Sequence, residues 1–520
     1  MTIQDTIRRW ASDSGDRTFL VSPEHDETLS YLQLDERLSQ VAAKLDAMGV
    51  GAGEHVAILM DNGQWTATLL LALMASGRVA VPLNAIAGDS QLEYVLDHCD
   101  ADLVFASPAH EERAAQLTGR VKRPIRVIPT CPDRGPEWDA GAAAGAQTLP
   151  AVDPDDTALL MYTSGTTGKP KGVMLSHRNV LAGGMNTVEA HTLSREDRGL
   201  CVLPLYHINA EIVTLIAPLI SGGSVVMPHR FSTRAFWELI REQHCTWFSV
   251  VPTIVTYLLE QANNENPGVR DNPDFSRVRF GRSASSALPV ATHKAFEEAF
   301  GIPLIETMGL TETAAQILSN PLPPFQTRYG SPGVAYRNRV KVVSEDGAEA
   351  TRGEIGELVV QGDNVMQGYY KNPEATQESL DAKGWFYTGD LGYQDDEDFF
   401  FITGRLKELI IKGGENIAPR EIDETLLKHP AILEAAAFAI DDAHYGQDIM
   451  ASVVLKHNKE VSGEELTEFC QRDIGKFKTP KEVLFVQWLP KGPSGKVQRL
   501  SIADMLDDLK QSPDMIADNQ

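Results

Sequence analysis

Between residues 162 and 172 the chain reads Tyr162-Thr-Ser-Gly-Thr-Thr-Gly-Lys-Pro-Lys-Gly172, a run of glycines and hydroxyl residues with two lysines. Backbone N–H groups and hydroxyls in such a loop can wrap phosphate oxygens, with lysine charge close by. Its glycines permit the close approach. The spacing differs from a Walker A loop, because Thr163 stands where that motif needs its first glycine. The plain alternative is a flexible surface turn.

Other segments carry reactive groups. Asp390, in Tyr387-Thr-Gly-Asp-Leu-Gly392, is a carboxylate expected on a Gly-flanked turn, able to accept hydrogen bonds from both hydroxyls of a ribose. Arg405 and Lys407 in Thr403-Gly-Arg-Leu-Lys-Glu408 could meet the same hydroxyls or a phosphate. Gly413 and Gly414 read as a close backbone approach to a ligand, a hinge, or a tight β-turn. Thr311-Glu312 follows an apolar run ending in Met308-Gly-Leu310. Its carboxylate could hold Mg²⁺ on nucleotide phosphates, or its threonine could cap a helix. Lys496 follows Gly495 in a loop expected to be exposed, where a mobile lysine can neutralise charge building on a carboxylate and a phosphate. His207, in Leu203-Pro-Leu-Tyr-His207, is either a catalyst or a packing residue.

These groups need a scaffold. Helical spacing over Leu32–Met48, 65–76 and Leu92–Cys99 alternates with apolar runs at His55–Met60, Val79–Pro82, Asp102–Ala106 and Ala158–Tyr162. That alternation predicts βαβ units around a largely parallel sheet. Residues 130–156 are rich in Pro, Gly, Ala and Asp and read as a surface connection. The same rhythm returns over 178–310, with strands near 200–203, 224–227, 247–250 and 278–282. After Pro321 the pattern becomes antiparallel, at Val340–Val343 and Glu357–Gln361. Beyond 404–416, helix Arg420–Leu427, strands Ala435–Ile440 and Met450–Leu455, and helix Glu464–Asp473 suggest a separate α+β unit.

Composition excludes some functions. A chain of 520 residues should hold two or more domains. The formal charge of −25 argues against nucleic acid and against an anionic membrane surface as partners. Five scattered cysteines without a CxxC pair argue against a disulfide framework or zinc site and fit a reducing cytoplasm. No apolar run reaches the length of a membrane span.

Taken in order, segments 162–172, 204–207, 306–312, 387–392, 404–416 and 490–499 resemble the adenylate-forming superfamily of acyl-CoA synthetases, luciferases and peptide-synthetase adenylation domains. The resemblance implies an α/β fold. A large N-terminal domain, residues 1–405, would carry mixed and parallel sheets, flanking helices and a distorted β-barrel. A small mobile α+β C-terminal domain, 406–520, would hinge near Lys407. It implies a monomer or homodimer acting on a small carboxylic acid with ATP, Mg²⁺ and coenzyme A, in two steps: adenylation with release of pyrophosphate, then thioester formation. Thr163, Ser164, Gly165, Thr166, Thr167, Gly168 and Lys171 would hold the β- and γ-phosphates, Thr166 with Glu312 serving the metal. Thr311 would contact the α-phosphate, Asp390 and Arg405 the ribose, and Met308-Gly309 the adenine, where the family usually has an aromatic residue in place of Met308. Lys496 would bridge the acid and the α-phosphate in the adenylating pose. His207 would gate the acyl site, and Gly413 and Gly414 would line the pantetheine path.

For the acid, Arg282-Ser-Ala-Ser-Ser-Ala-Leu-Pro289 and Gln316–Pro323 look most like the oxalate–CoA ligase branch. Asn209, Arg282, Ser285, Ser286, Ala287, Ala315 and Gln316 are the expected pocket residues, with serines at the mouth and Arg282 nearby for a second anionic group. Ala315 stands where that branch would place a histidine, which enlarges the pocket and turns the expectation from oxalate toward sulfoacetate or malonate. Another carboxylate, or a separate carrier protein as acceptor, is the alternative.

Overall fold

The computed structural model describes residues 1–138, 149–163, 169–265, 268–269, 272, 275–492 and 496–511, without the side chains of 263–265 and 506–511. Two large sheets form the first unit. In the eight-stranded sheet, Val79–Pro82, His55–Leu59, Leu103–Ala106 and Arg126–Cys131 lie parallel. Thr157–Thr163 extends this sheet parallel to Val79–Pro82, then returns antiparallel as Lys171–Ser176, with Gly368–Tyr369 on the edge beyond. In the nine-stranded sheet, Ser224–Val226, Arg198–Cys201, Trp247–Val250, Phe280–Ser283 and Leu304–Leu310 are parallel, and Ala315–Ser319 doubles back on the last of them. The expected βαβ alternation is borne out element by element. In the expected connection at 130–156, Arg126–Cys131 and Gly135–Pro136 pair as strands, and residues 139–148 lie outside the described ones.

The helix Gln64–Ala75 shows why two sheets are needed. Every residue of it except Trp65 is buried, so it has no face to offer to water. It packs against strands of both sheets, and its Leu69, Leu71 and Leu73 share one core with Phe19, Phe248 and Leu304. Thr66 and Thr68 return their hydroxyls to backbone carbonyls, which removes the cost of burying them.

After residue 334 the chain forms a four-stranded antiparallel sheet of Arg339–Val343, Gly356–Gln361, Phe386–Gln394 and Phe400–Arg405, where the barrel is expected. From Ile410 a smaller five-stranded sheet begins, built on the long hairpin Ile432–Asp442 and Gly446–Leu455. Helices Pro419–Leu427 and Gly463–Lys478 cover it. Its core, including Ile410, Ile422, Leu426, Ile449, Val453 and Leu466, is separate from that of the first two sheets. Among the described residues no helix is long and apolar enough to cross a membrane.

The helix His177–Ala190 is pinned to the second sheet at one point that matters later. A Cβ added at Gly183 would lie 2.0 Å from the carbonyl oxygen of Ala314. Gly183→Ala is expected to destabilise the protein by about 2 kcal/mol, as overpacking does. Urea unfolding with fixed slope would read this, and an unchanged midpoint would refute it.

Candidate active site

The glycine-rich run leaves one strand and enters its antiparallel neighbour, with Tyr162 facing Gly172 and Thr163 facing Lys171. The proposed phosphate loop therefore lies between two antiparallel strands next to the edge strand of a mostly parallel sheet. Ser164, Gly165, Thr166, Thr167 and Gly168 lie outside the described residues. The root of that loop is well anchored. Tyr162 Oη lies 2.7 Å from His98 Nδ1, and burial raises the pKa of that tyrosine and lowers that of His98. The Lys171 ammonium stands 4.8 Å above the ring of Tyr369.

Thr311-Glu312 does not cap an α-helix. It forms a 3₁₀ turn, Thr311–Thr313, linking the antiparallel strands Leu304–Leu310 and Ala315–Ser319. The reversal is tight. Ala314 and Ala315 take φ of 45° and 73°, a left-handed conformation that costs energy for any residue with a Cβ. Thr313 Oγ1 holds the turn by accepting from Leu310 N–H at 3.1 Å. Gly309 is required here, since a Cβ would sit 1.9 Å from the Ala315 oxygen. Within this turn the Tyr369 hydroxyl donates to Glu312 Oε1 at 3.0 Å.

Asp390 is likewise not on a turn. It lies inside the strand Phe386–Gln394, directly opposite Arg405, whose Nε donates to Asp390 Oδ1 at 2.6 Å. Lys407 follows in an exposed 3₁₀ turn, Leu406–Glu408.

Lys496 also departs from expectation. The described residues on either side are paired rather than free, Lys491 bridging antiparallel to Val497. Gly492 N–H donates to the Lys496 carbonyl at 2.7 Å, and Lys491 pairs with Glu434 at 2.6 Å. Arg499 binds Asp423 at 2.6 Å and Glu408 at 3.3 Å. Lys496 is half-buried, and burial followed by the charge of Arg405 lowers its pKa.

Some of these parts meet at one cleft of about 310 Å³ between the large and small units, while Lys171, Thr311 and Glu312 are not among its lining residues. Met308, Gly309, Asp390 and Arg405 line it from one side and Lys496 from the other, with Ser285, Ser286 and Ala287 at its wall. Arg282, Asn209 and Gln316, expected among the pocket residues, do not line this cleft. Arg282 is 2% exposed, behind the wall, because strand alternation points it between the sheet and the helix layer. It donates to Asn209 Oδ1 at 2.6 Å, Ser249 Oγ at 3.0 Å and Gln316 Oε1 at 3.3 Å. Asn209 turns its amide nitrogen to Ser285 Oγ, 3.5 Å away, and so links Arg282 to the cleft. Ala315 is buried beside this network. His207 ends a turn closed by its N–H on the Pro204 carbonyl, its ring 4.7 Å from that of Tyr206. Gly413 and Gly414 form a hairpin turn with φ of 59° and 87°, outside this cleft.

Residues 7–370 match the family described as AMP-binding enzyme, and residues 421–496 match the AMP-binding enzyme C-terminal domain. The chain belongs to the AMP-binding enzyme family. This AMP-binding enzyme is similar to the sulfoacetate–CoA ligase of Cupriavidus necator, with 48% identity over 96% of this chain and 97% of that protein. It is similar to the oxalate–CoA ligase of Arabidopsis thaliana, with 33% identity over 91% and 93%. Its fold matches ATP-bound MatB from Rhodopseudomonas palustris with a TM-score of 0.89 at 29% identity, covering 98% of this chain and 100% of that one. Against apo MatB the TM-score is 0.79 at 30% identity and the same coverage. The reaction class is AMP-forming acid–CoA ligation, as the order of motifs implied.

Four residues of this AMP-binding enzyme had no signal in the sequence. Ser249 and Tyr369 touch site residues across different strands, and Arg499 fixes the Lys496 segment. Asn62 clamps the His207 turn through the Leu203 carbonyl and the Leu205 N–H, each at 2.9 Å. Only spatial neighbours reveal such roles.

The lowered pKa of Lys496 gives a pH prediction with a definite sign. A lysine depressed from 10.5 loses its charge at lower pH than a free lysine. The kcat/KM for adenylate formation, which reports the free enzyme, should therefore fall on an alkaline limb lying below pH 10.5. A profile flat to that value would contradict a catalytic charge at Lys496.

Proposed function

We propose that the enzyme activates a small carboxylic acid carrying a second anionic group, of sulfoacetate, oxalate or malonate type, and transfers it to coenzyme A. The observation that carries this reading is a buried guanidinium whose partners among the described residues are neutral: Asn209, Ser249 and Gln316. Burial pushes the Arg282 pKa down to about 9, so the group remains charged at neutral pH, with no carboxylate partner among the described residues. An anion in the adjoining cleft would supply a counterion. Because Arg282 and Ser249 occupy the Asn209 carbonyl oxygen, the amide N–H₂ must face Ser285 and the cleft. A second carboxylate or sulfonate could accept from it with the Arg282 charge behind.

The chemistry follows from charge. One oxygen of the substrate carboxylate attacks the α-phosphorus of ATP, and the bond to the pyrophosphate oxygen breaks. Two anions must meet, so cations have to offset them in line. Lys496 would do so between the acid and the α-phosphate, with Arg405 and Asp390 holding the ribose and Lys171 the outer phosphates. The loop residues 163–168 would add their hydroxyls and N–H groups, and Thr311 would contact the α-phosphate. Met308 would cover the adenine through its polarizable sulfur.

Mg²⁺ fits Glu312. Among the described residues no group of three or more His, Cys, Asp or Glu side chains gathers into a metal cage. Mg²⁺ is held through one or two carboxylates together with substrate phosphates, and it supplies charge neutralisation there. Thr166 would be its second protein contact.

In the second step the coenzyme A thiol attacks the acyl carbonyl and AMP leaves. Residues 406–520 would first turn about Lys407, removing Lys496 and bringing Gly413 and Gly414 to the pantetheine path, with His207 opening the acyl site. The higher similarity to ATP-bound than to apo MatB supports the present pose as the adenylating one. The five free thiols support a cytoplasmic location, and a monomer or homodimer is the proposed state.

Three measurements test this. Pyrophosphate release with MgATP and coenzyme A should be strongest with one dianionic acid in a panel of oxalate, sulfoacetate, malonate, acetate, benzoate and octanoate; turnover of apolar acids alone would discard the second-anion reading. Arg282→Ala should raise KM for the preferred dianionic acid about tenfold more than for acetate, the scale of a lost charged hydrogen bond. An unchanged ratio would remove Arg282 from recognition. Lys496→Ala should abolish adenylation yet spare thioester formation from supplied acyl-adenylate, and equal loss of both steps would rule out the pose-specific role.

A further inference from the structure

Residues 363–371 take no part in the chemistry above, yet they are tied to both halves of the nucleotide site. Asn364 Nδ2 donates to the Thr313 carbonyl at 2.9 Å, and Met366 N–H to the Glu312 carbonyl at 2.8 Å. A few residues on, Gly368 and Tyr369 pair with Met174 and Val173 on the strand that leaves the phosphate loop. Tyr370 N–H then donates to the Gly172 carbonyl at 2.7 Å. Asn179 fixes the start of this strap by donating to the carbonyls of Asp363 and Val365, each at 2.8 Å.

Tyr369 sits at the centre of the strap and is 7% exposed. Its hydroxyl donates to Glu312 Oε1, and its ring carries the Lys171 ammonium. The residue is itself held, because its N–H donates to Thr376 Oγ1 at 2.9 Å. Lys171 and Glu312 have opposite charges and are assigned to one nucleotide, yet no ion pair joins them. Here both meet the same tyrosine instead. The hydroxyl fixes the carboxylate by a charge-assisted hydrogen bond. The ring face holds the ammonium by attraction to its quadrupole. Neither contact consumes the charge that a cation or a phosphate needs.

We propose that Tyr369 is a positioning residue that couples the phosphate-loop lysine to the metal-side carboxylate, keeping each available for its own ligand. The proposal rests on the roles given above to Lys171 and Glu312. Its chemistry has two separable parts. The hydroxyl sets the carboxylate and hence divalent-cation affinity; the ring sets the lysine and hence ATP affinity without metal.

The test uses full-length wild type, Tyr369→Phe, Tyr369→Leu, Glu312→Gln and the double variant Tyr369→Phe/Glu312→Gln. Binding of Mn²⁺ in the presence of ATP is read from the free-Mn²⁺ electron paramagnetic resonance signal. Binding of metal-free ATP is read by calorimetry in EDTA. Tyr369→Phe should raise the Mn²⁺ dissociation constant about tenfold, the usual cost of losing a group that orients a metal ligand. It should leave metal-free ATP binding and the acid KM at wild-type values. Tyr369→Leu should in addition weaken metal-free ATP binding about fivefold, as loss of a desolvated cation–ring contact would. The double variant should bind Mn²⁺ no worse than Glu312→Gln alone. Wild-type Mn²⁺ affinity in Tyr369→Phe, or additive losses in the double variant, would overturn the coupling. Unchanged Mn²⁺ affinity in Glu312→Gln would overturn the role of Glu312 itself, a failure distinguishable from the first.

Discussion

Asp390 and Arg405 face each other at 2.6 Å across the last two strands of the large unit, and the rest of the site is arranged around that pair. Both are fixed by strand register rather than by a loop, so their positions are as rigid as the sheet itself. From Arg405 the chain passes at once into the Leu406–Glu408 turn and the small unit. Lys496 returns from that unit to the same cleft, whose lining also holds Arg420, Lys491 and Arg499 and the carboxylates of Glu306, Glu408, Asp423, Glu424 and Glu434. Burial and then the charge of Arg405 lower the pKa of Lys496, while Asp390 and Glu408 act to raise it. Once the substrate anions have reacted and pyrophosphate has gone, less holds the lysine there, which accords with the proposed rotation about Lys407.

The second constraint is strain. The turn bearing Glu312 contains two successive alanines in left-handed conformation, and Ser285 at the cleft wall has φ of 73°. Each such residue costs on the order of 1 kcal/mol or more and persists only where the surroundings dictate it. Here they do. Gly183 admits the Ala314 carbonyl, Gly309 admits that of Ala315, and Thr313 closes the loop with its hydroxyl. The helix His177–Ala190, packed against Ala315–Ser319, supplies the rigid wall against which the Glu312 turn is held.

This division explains what could be read from the sequence. Local patterns carried most of the fold: the alternation of helices and strands, the buried Gln64–Ala75 helix and the small α+β unit all depend on periodicity within short windows. The phosphate run and the order of motifs carried the reaction class for the same reason. Contacts between distant segments were not legible. Gly389 and Gly392 made Asp390 look like a turn residue, while its strand is made by pairing with Phe400–Arg405. Lys496 looked exposed because its burial comes from the opposite unit. Arg282 looked close to serines at the pocket mouth, and nothing local shows Asn209 standing between it and Ser285. Tyr369 gave no signal at all: its carboxylate partner is 57 positions away and its lysine partner lies in another motif.

The network at Arg282 bears on substrate choice beyond the presence of a charge. A carboxylate beside this guanidinium would have made it cheaper to bury, as paired charges are. Among the described residues the enzyme surrounds it instead with an amide, a hydroxyl and a second amide. Below it His191, fully buried against Phe280 at 4.9 Å, is kept neutral by burial and by Arg282 itself. The local field is therefore that of one cation, neither cancelled nor doubled. Asn209 passes it to the cleft in a single orientation, because both donors on its carbonyl side are fixed. A monocarboxylate would spend its only anionic group on the α-phosphorus and leave this field unanswered. An acid with a second anion could answer it while reacting, so discrimination would rest on a charge set back from the reacting atoms, with little demand on the chain length between the two groups.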